Sequence, residues 1–311
     1  MMLTGFILAA GFGTRLKPLT EHIPKALVPV CGRPLLERTL EFFRQSGIKR
    51  IGVNAYHFPE QMHAFKEQSA IDFELSHETE KIRGTGGGLY FARAFLSESD
   101  VFLACNVDIL AQVNIPDLHK KFLSLGCIAG LVAIPLAGGG SIYYNRETKE
   151  YAGAKADPDA QGSCAEFLGM AFYKKDFLKI AQPDDFSILP VWKRARGEGR
   201  SVKIVETEAV YWKDVGAPET LAGIHFDFLE KRCSLPIPHD MIVDFVNKKA
   251  FPKRYSTNEI SRLGTNVWCE AENIPRGVSI ENAVVFKNAV VTPGELLRNT
   301  IITPWGKIPF C

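Results

Sequence analysis

Between residues 3 and 230 the chain switches repeatedly between short, unbroken apolar runs and stretches whose apolar positions fall three or four apart. Phe6-Ile7-Leu8-Ala9-Ala10 reads as a strand covered on both faces. Pro34 to Ser46 carries Leu35, Leu36, Leu40 and Phe43 at helical spacing, with Gly47 as its stop signal. Further strands are expected at Ile51–Asn54, Ile71–Leu75 and Val101–Cys105. Further helices are expected at Glu60–Gln68, at Leu89–Leu96 and onward from Pro116-Asp117. Such alternation predicts a doubly wound, Rossmann-like α/β fold with a mostly parallel sheet and helices on both faces.

From residue 128 the pattern loosens. Ile128–Pro135, Ser141–Tyr144, Phe167–Tyr173, Val202–Glu206 and Val210–Trp212 look like strands, separated by loops at Gly138-Gly139-Gly140 and Asp157-Pro158-Asp159. They suggest a mixed β region inserted beside the sheet. A helix from Pro218 to about Lys231 closes a first domain, residues 1–231. The remainder, 232–311, starts with a connector to which no element is assigned before residue 273. It ends in a repeat: Val278, Val284, Val290, Leu296, Ile302 and Ile308 recur every six residues, with Val285, Val291 and Leu297 as a second column. A hexapeptide period predicts a parallel β-helix, about two coils at ~18 residues each. The alternative is a set of ordinary strands whose spacing coincides.

Composition narrows the function. Of 311 residues 37 are basic and 35 acidic, a net charge of +2, which leaves no electrostatic footprint for a nucleic-acid partner. No run approaches the ~18 apolar residues of a membrane span. The apolar start lacks a basic leader, so it is expected to be a buried strand rather than a signal segment. Seven widely spaced cysteines with no Cys-x-x-Cys predict free thiols in a reducing cytoplasm and no zinc site.

Chemistry concentrates in Leu8-Ala9-Ala10-Gly11-Phe12-Gly13-Thr14-Arg15-Leu16-Lys17-Pro18-Leu19-Thr20 and the following Pro24-Lys25. A buried strand runs into a loop with glycines at 11 and 13, where backbone N–H groups can approach an anion, while Arg15 and Lys25 can neutralise phosphate oxygens. A dinucleotide fingerprint would need glycine where Leu16 stands, and a P-loop would need Gly-Lys-Ser/Thr. Both are absent.

This string, with Pro29-Val30-x-Gly32-x-Pro34-Leu35-Leu36-Glu37 after it, resembles the signature of the sugar-1-phosphate nucleotidyltransferases. The resemblance is dense over residues 6–37 and returns in short blocks to about residue 222. It implies transfer of a nucleoside monophosphate from a triphosphate to a sugar 1-phosphate, with release of pyrophosphate. By the same resemblance Ala9, Ala10, Gly11, Gly13 and Thr14 face the nucleotide, as do Gly84, Thr85, Gly86 and Gly87 in a glycine loop ahead of a helix. Asp108, just past a central strand, and Asp214, in Trp212-Lys213-Asp214-Val215-Gly216-Ala217-Pro218, are the implied Mg²⁺ ligands. Arg15 would grip the triphosphate, Lys25 would bridge the reacting phosphates, and Lys213 is a weaker candidate for the incoming phosphate. The tail looks like the left-handed β-helix that many members carry, and its exposed end suggests a homodimer or higher homo-oligomer.

Two departures leave the base and sugar open. The family's Glu-Lys-Pro is missing, and its region reads Gly153-Ala154-Lys155-Ala156-Asp157, with Lys155 as a substitute. Phe167 stands where many members carry Asn ahead of Gly169, the residue expected beside the sugar. Phe167 and the glycine run look closer to the branch acting on N-acetylmuramate, heptose or mannose 1-phosphates with UTP or GTP. The alternatives are cytidylyl transfer to a non-sugar phosphate such as phosphocholine, and a catalytically silent subunit that binds a nucleotide sugar.

Overall fold

In the computed structural model, which describes residues 3–208 and 211–310, the chain forms two compact units. One comprises Met1–Gly11 with Thr39–Trp212, the other Phe12–Arg38 with Lys213–Cys311. These bodies do not coincide with the segments 1–231 and 232–311.

The first unit is built on a nine-stranded sheet. Leu3–Leu8 lies between Arg50–Ala55 and Val101–Asn106, parallel to both, and Glu74–His77 extends the parallel edge. On the other side Ser163–Lys174 runs antiparallel to Val101–Asn106, Ala129–Leu136 and Ile142–Tyr144. The β region expected beside the sheet is therefore its continuation, and the sheet is mixed rather than mostly parallel. The strand Tyr151–Ala154 and the helix Ile188–Gly197 are two elements beyond those the sequence pattern predicts. Val210 lies outside the described residues, and the strand there is Trp212–Asp214. The core holds Phe6, Leu89, Phe102, Tyr144, Tyr173, Phe177 and Trp192. Burying each such side chain is worth roughly 1.5–3 kcal/mol.

The second unit gathers the signature segment, the helix Pro218–Leu229 and the tail. The unassigned connector supplies three strands of a six-stranded sheet: Met241–Asp244, Lys249–Pro252 and Val267–Cys269. Ser279–Val285, Leu296–Thr303 and Gly306–Pro309 complete it. Its four inner strands are parallel and its two outer ones antiparallel to their neighbours. Ala250, Trp268, Val284 and Ile301 stack in one column, at steps of 18, 16 and 17 residues. The six-residue column is not the stacking column. Val278, Val284, Ile302 and Ile308 are buried, but Val290 and Leu296 are 70% and 62% exposed. Positive-φ turns at Asn288 and Gly294 swing the chain out of register between them. Bends at Asn266, Asn282 and Asn299, also at positive φ, recur with the strand spacing instead.

Candidate functional site

Leu8 stands opposite both Asn54 and Asn106, so three parallel strands of the first unit end level with one another. Ligands of parallel α/β sheets bind beyond such carboxyl ends. Ala9 and Ala10 leave the first strand buried, and Gly11 is exposed. No described atom lies within 4 Å of where a Gly11 Cβ would sit, so the chain's own packing does not demand this glycine. The N–H of Val107 donates to the Leu8 carbonyl at 3.1 Å, which fixes the turn carrying the half-buried Asp108. Burial, aided by the Asp108 charge, pushes the Cys105 thiol up, so it stays protonated.

The glycine run behaves differently from the expected loop. Gly84–Phe91 is itself a helix, despite the poor helical propensity of glycine. Its glycines serve close packing against residues 183–188. A Cβ on Gly84 would lie 1.9 Å from the Phe186 carbonyl oxygen, and one on Gly86 2.6 Å from that of Asp185. The N–H groups of Thr85 and Gly87 donate to those same two carbonyls, at 2.9 and 2.6 Å, so neither is spare for a ligand. The Thr85 hydroxyl accepts from the N–H of Ile188 at 2.9 Å. Asp185, buried, takes a bidentate pair from Arg194 at 2.7 and 2.9 Å, and that hydrogen bonding holds its carboxyl below the usual range. This buttress carried no sequence signal beyond a lone Asp and a lone Arg.

Gly169 sits where the register of Ser163–Lys174 against Ala129–Leu136 slips, a β-bulge, at φ 69°. A Cβ there would press on Ile109 at 2.7 Å. Gly169 lines a small pocket of about 50 Å³ with Asn106, Thr85, Phe167 and Trp192. The Phe167 ring stands edge-on to Trp192, 5.4 Å between centroids. Lys155 is exposed on a turn after Tyr151–Ala154.

In the second unit Gly13 adopts φ 63° and opens a short 3₁₀ turn, Thr14–Leu16. A Cβ on Gly13 would touch Thr20 and the Lys25 stem at 3.0 Å, so the glycine lets the buried Lys25 pack beneath the loop. Thr14 and Arg15 are exposed. The Arg15 guanidinium lies 3.9 Å from Asp214 Oδ2, their side chains 66% and 43% exposed. Gly216 makes that approach possible: its Cβ would fall 2.3 Å from Arg15 Nη2 and 2.9 Å from Asp214 Oδ1. Sequence reading did not single out Gly216, although it stands two residues after Asp214 in the quoted block. Lys213 pairs with the buried Asp227 at 3.3 Å, which Arg232 also binds.

Among the described residues no three or more His, Cys, Asp or Glu side chains form a metal cluster, six cysteines are free, and no helix is long and apolar enough to cross a membrane. Asp108, in the first unit, and Asp214, in the second, each offer hard carboxylate oxygens, the donor type that Mg²⁺ takes alongside phosphate and water.

Residues 4–137 match the nucleotidyl transferase family model. The chain is 28% identical over 230 residues to N-acetylmuramate alpha-1-phosphate uridylyltransferase of Caulobacter vibrioides, covering 68% of this chain and 91% of that protein. It is 26% identical over 235 residues to mannose-1-phosphate guanylyltransferase catalytic subunit beta of Danio rerio, covering 73% of this chain but only 63% of that protein, under two thirds of its length. Similar folds include HddC from Yersinia pseudotuberculosis, with a TM-score of 0.60 at 22% identity over 72% of this chain and 98% of that one. A UTP-bound UGPase from Acinetobacter baumannii gives 0.61 at 15% identity, over 74% and 94%. The glycine-bearing strand end, Asp108 and the glycine helix all lie inside residues 4–137, the stretch that matches the nucleotidyl transferase family model.

Proposed function

We propose that the protein transfers a nucleoside monophosphate from UTP or GTP to a sugar 1-phosphate, giving a nucleoside-diphosphate sugar and pyrophosphate. The observation that carries this reading is the Arg15–Asp214 pair held over Gly216, on the exposed loop that follows Gly11. In the reaction an oxygen of the sugar phosphate attacks the α-phosphorus in line. The new P–O bond forms as the bond to the α,β-bridging oxygen breaks, and that oxygen leaves with pyrophosphate. The attacking group is already ionised at neutral pH, so no strong base is needed, and alignment and charge neutralisation carry the rate. Arg15 binds the triphosphate and the departing pyrophosphate, and Lys25 spans the reacting phosphates. Asp108 and Asp214 are the carboxylates that would hold Mg²⁺, which supplies charge neutralisation at the phosphates when bound.

Ala9, Ala10, Gly11, Gly13 and Thr14 are assigned to the nucleotide, with Gly84, Thr85, Gly86 and Gly87 shaping its base side. Gly169 is assigned to the sugar. The sugar 1-phosphate is of the N-acetylmuramate, mannose or heptose kind, the first two being the sugars named in the relatives' names. Lys155 and Lys213 remain assigned to the sugar phosphate, Lys213 after release from Asp227. We further assign catalysis to 1–231, read the tail as a short β-helix that pairs copies of the chain, and place the protein in the cytoplasm with its triphosphate supply, where free thiols persist.

The test is pyrophosphate release from a panel of the four common triphosphates and these sugar 1-phosphates with Mg²⁺. At least one pair should turn over, and Asp108→Asn and Asp214→Asn should each cut the rate by about 100-fold or more while the fold persists. Silence across the panel, or CTP with phosphocholine outperforming every sugar phosphate, would overturn the assignment.

A further inference from the structure

Two side chains outside every motif above join the segments from which the nucleotide face is built. The N–H of Ala9, the first residue after the strand, donates to Asn54 Oδ1 at 2.7 Å. Asn54 Nδ2 donates to Glu78 Oε1 at 2.8 Å, and the other carboxylate oxygen, Oε2, accepts the N–H of Arg83 at 2.7 Å. Asn54 and Glu78 are 2% and 6% exposed. A Cβ on Gly88 would lie 2.9 Å from Asn54 Nδ2, so the glycine helix sits directly on this relay.

The chemistry of the pair is specific. Asn54 must accept on one side and donate on the other, and Glu78 must accept twice. Burial alone raises the Glu78 carboxyl above its usual range, opposed by the hydrogen bonds from Arg83 and Asn54. A buried carboxylate is a costly way to brace a backbone unless both acceptors are used. Its two acceptors end on Ala9, through Asn54, and on the residue that opens the glycine helix.

We propose that Asn54 and Glu78 are positioning residues for the nucleotide, setting the distance between the Ala9–Gly11 strand end and the Gly84–Gly88 helix. This rests on the nucleotide reading above. The relay is tested by Asn54→Asp, Glu78→Gln and the two combined. Asn54→Asp sets two carboxylates face to face, and Glu78→Gln turns an NH₂ onto the Arg83 N–H. The combination reverses the polarity and restores every bond. The introduced aspartate accepts from the Ala9 N–H and from the NH₂ of the introduced glutamine, whose oxygen accepts the Arg83 N–H.

Hydrogen exchange of the Ala9 and Arg83 amides and calorimetric affinity for each of the four nucleoside triphosphates are measured side by side. Each single variant should lose protection at both amides and about tenfold or more in triphosphate affinity, and the double variant should recover most of both. Wild-type affinity in the single variants, or a double variant no better than either single, would overturn the proposal. A wild-type protein that binds no triphosphate would instead sink the nucleotide reading, and the proposal with it. In that case the exchange arm would show whether the relay itself exists.

Discussion

Arg15 and Asp214 illustrate how little a charged contact says about stability and how much about use. At 3.9 Å and with both side chains well exposed, the pair contributes about 0–1 kcal/mol to folding. Its placement depends on Gly216, whose missing Cβ leaves space for the guanidinium. The Gly216→Ala variant should therefore fold normally, because the group it displaces is the far end of a flexible side chain. Its kcat/KM should fall on the order of 10–100-fold through the displaced arginine, read by steady-state kinetics beside a thermal melt.

A second residue-scale prediction concerns His225, fully buried. Its Nε2 accepts the Cys31 N–H at 2.9 Å and its Nδ1 donates to the Leu221 carbonyl at 2.9 Å. Burial, with a smaller contribution from the Arg38 charge, lowers its pKa to about 4. A depressed histidine stabilises the fold fully above its unfolded pKa near 6.5, and that stabilisation is lost as pH falls towards 4. The melting temperature should drop over that window, and His225→Gln, which cannot protonate, should flatten that part of the curve. An identical pH profile in the variant would refute the assignment.

At the scale of elements, the glycine helix and the segment 183–188 form one object. The helix cannot be stable by propensity, with four glycines in eight residues. Tertiary contact holds it: two N–H groups bound to the facing carbonyls, and a backbone-to-backbone approach that only glycine permits. Gly86→Ala should cost about 1–3 kcal/mol, because the Cβ meets carbonyl oxygens rather than a movable side-chain tip. Urea unfolding would measure it. The helical start is illegible in the sequence for the same reason: a run of glycines signals a loop, and the packing partner that makes it a helix lies about a hundred residues away.

At the scale of the whole molecule, the tail and the signature segment share one unit. Arg38, buried, donates to the carbonyls of Val30 at 2.9 Å, Cys31 at 3.0 Å and Pro236 at 3.1 Å. Gly32, at φ 75°, leaves room for Pro238, and the His225 ring lies against Trp268 and Phe286. The Trp305 ring, on the last turn, stacks on His22 at 4.9 Å. Ending the chain at residue 231 would remove Pro236, Pro238, Trp268, Phe286 and Trp305, take one acceptor from the buried Arg38 and uncover the His225 ring. The shortened protein should be insoluble or melt several degrees lower, as circular dichroism would show. Light scattering on the intact chain should give a multiple of 34.5 kDa if the tail pairs copies; a 34.5 kDa particle would refute that.

Periodicity and local chemistry are properties of neighbouring residues, so the sequence alone determined what depends on neighbours. It placed the buried first strand, the alternation of strands and helices through residue 124, and the glycine-arginine loop with Arg15 at its exposed end. Contacts between distant residues have no local signature, and only the tertiary structure decided them. The slip at Gly169, the strand spacing of 16 to 18 that displaces the hexad column, Gly216 beneath Arg15, and the Ala9–Asn54–Glu78–Arg83 relay all join positions far apart in the chain or set by its fold. A hydrogen bond or a missing Cβ matters only where the fold brings its counterpart.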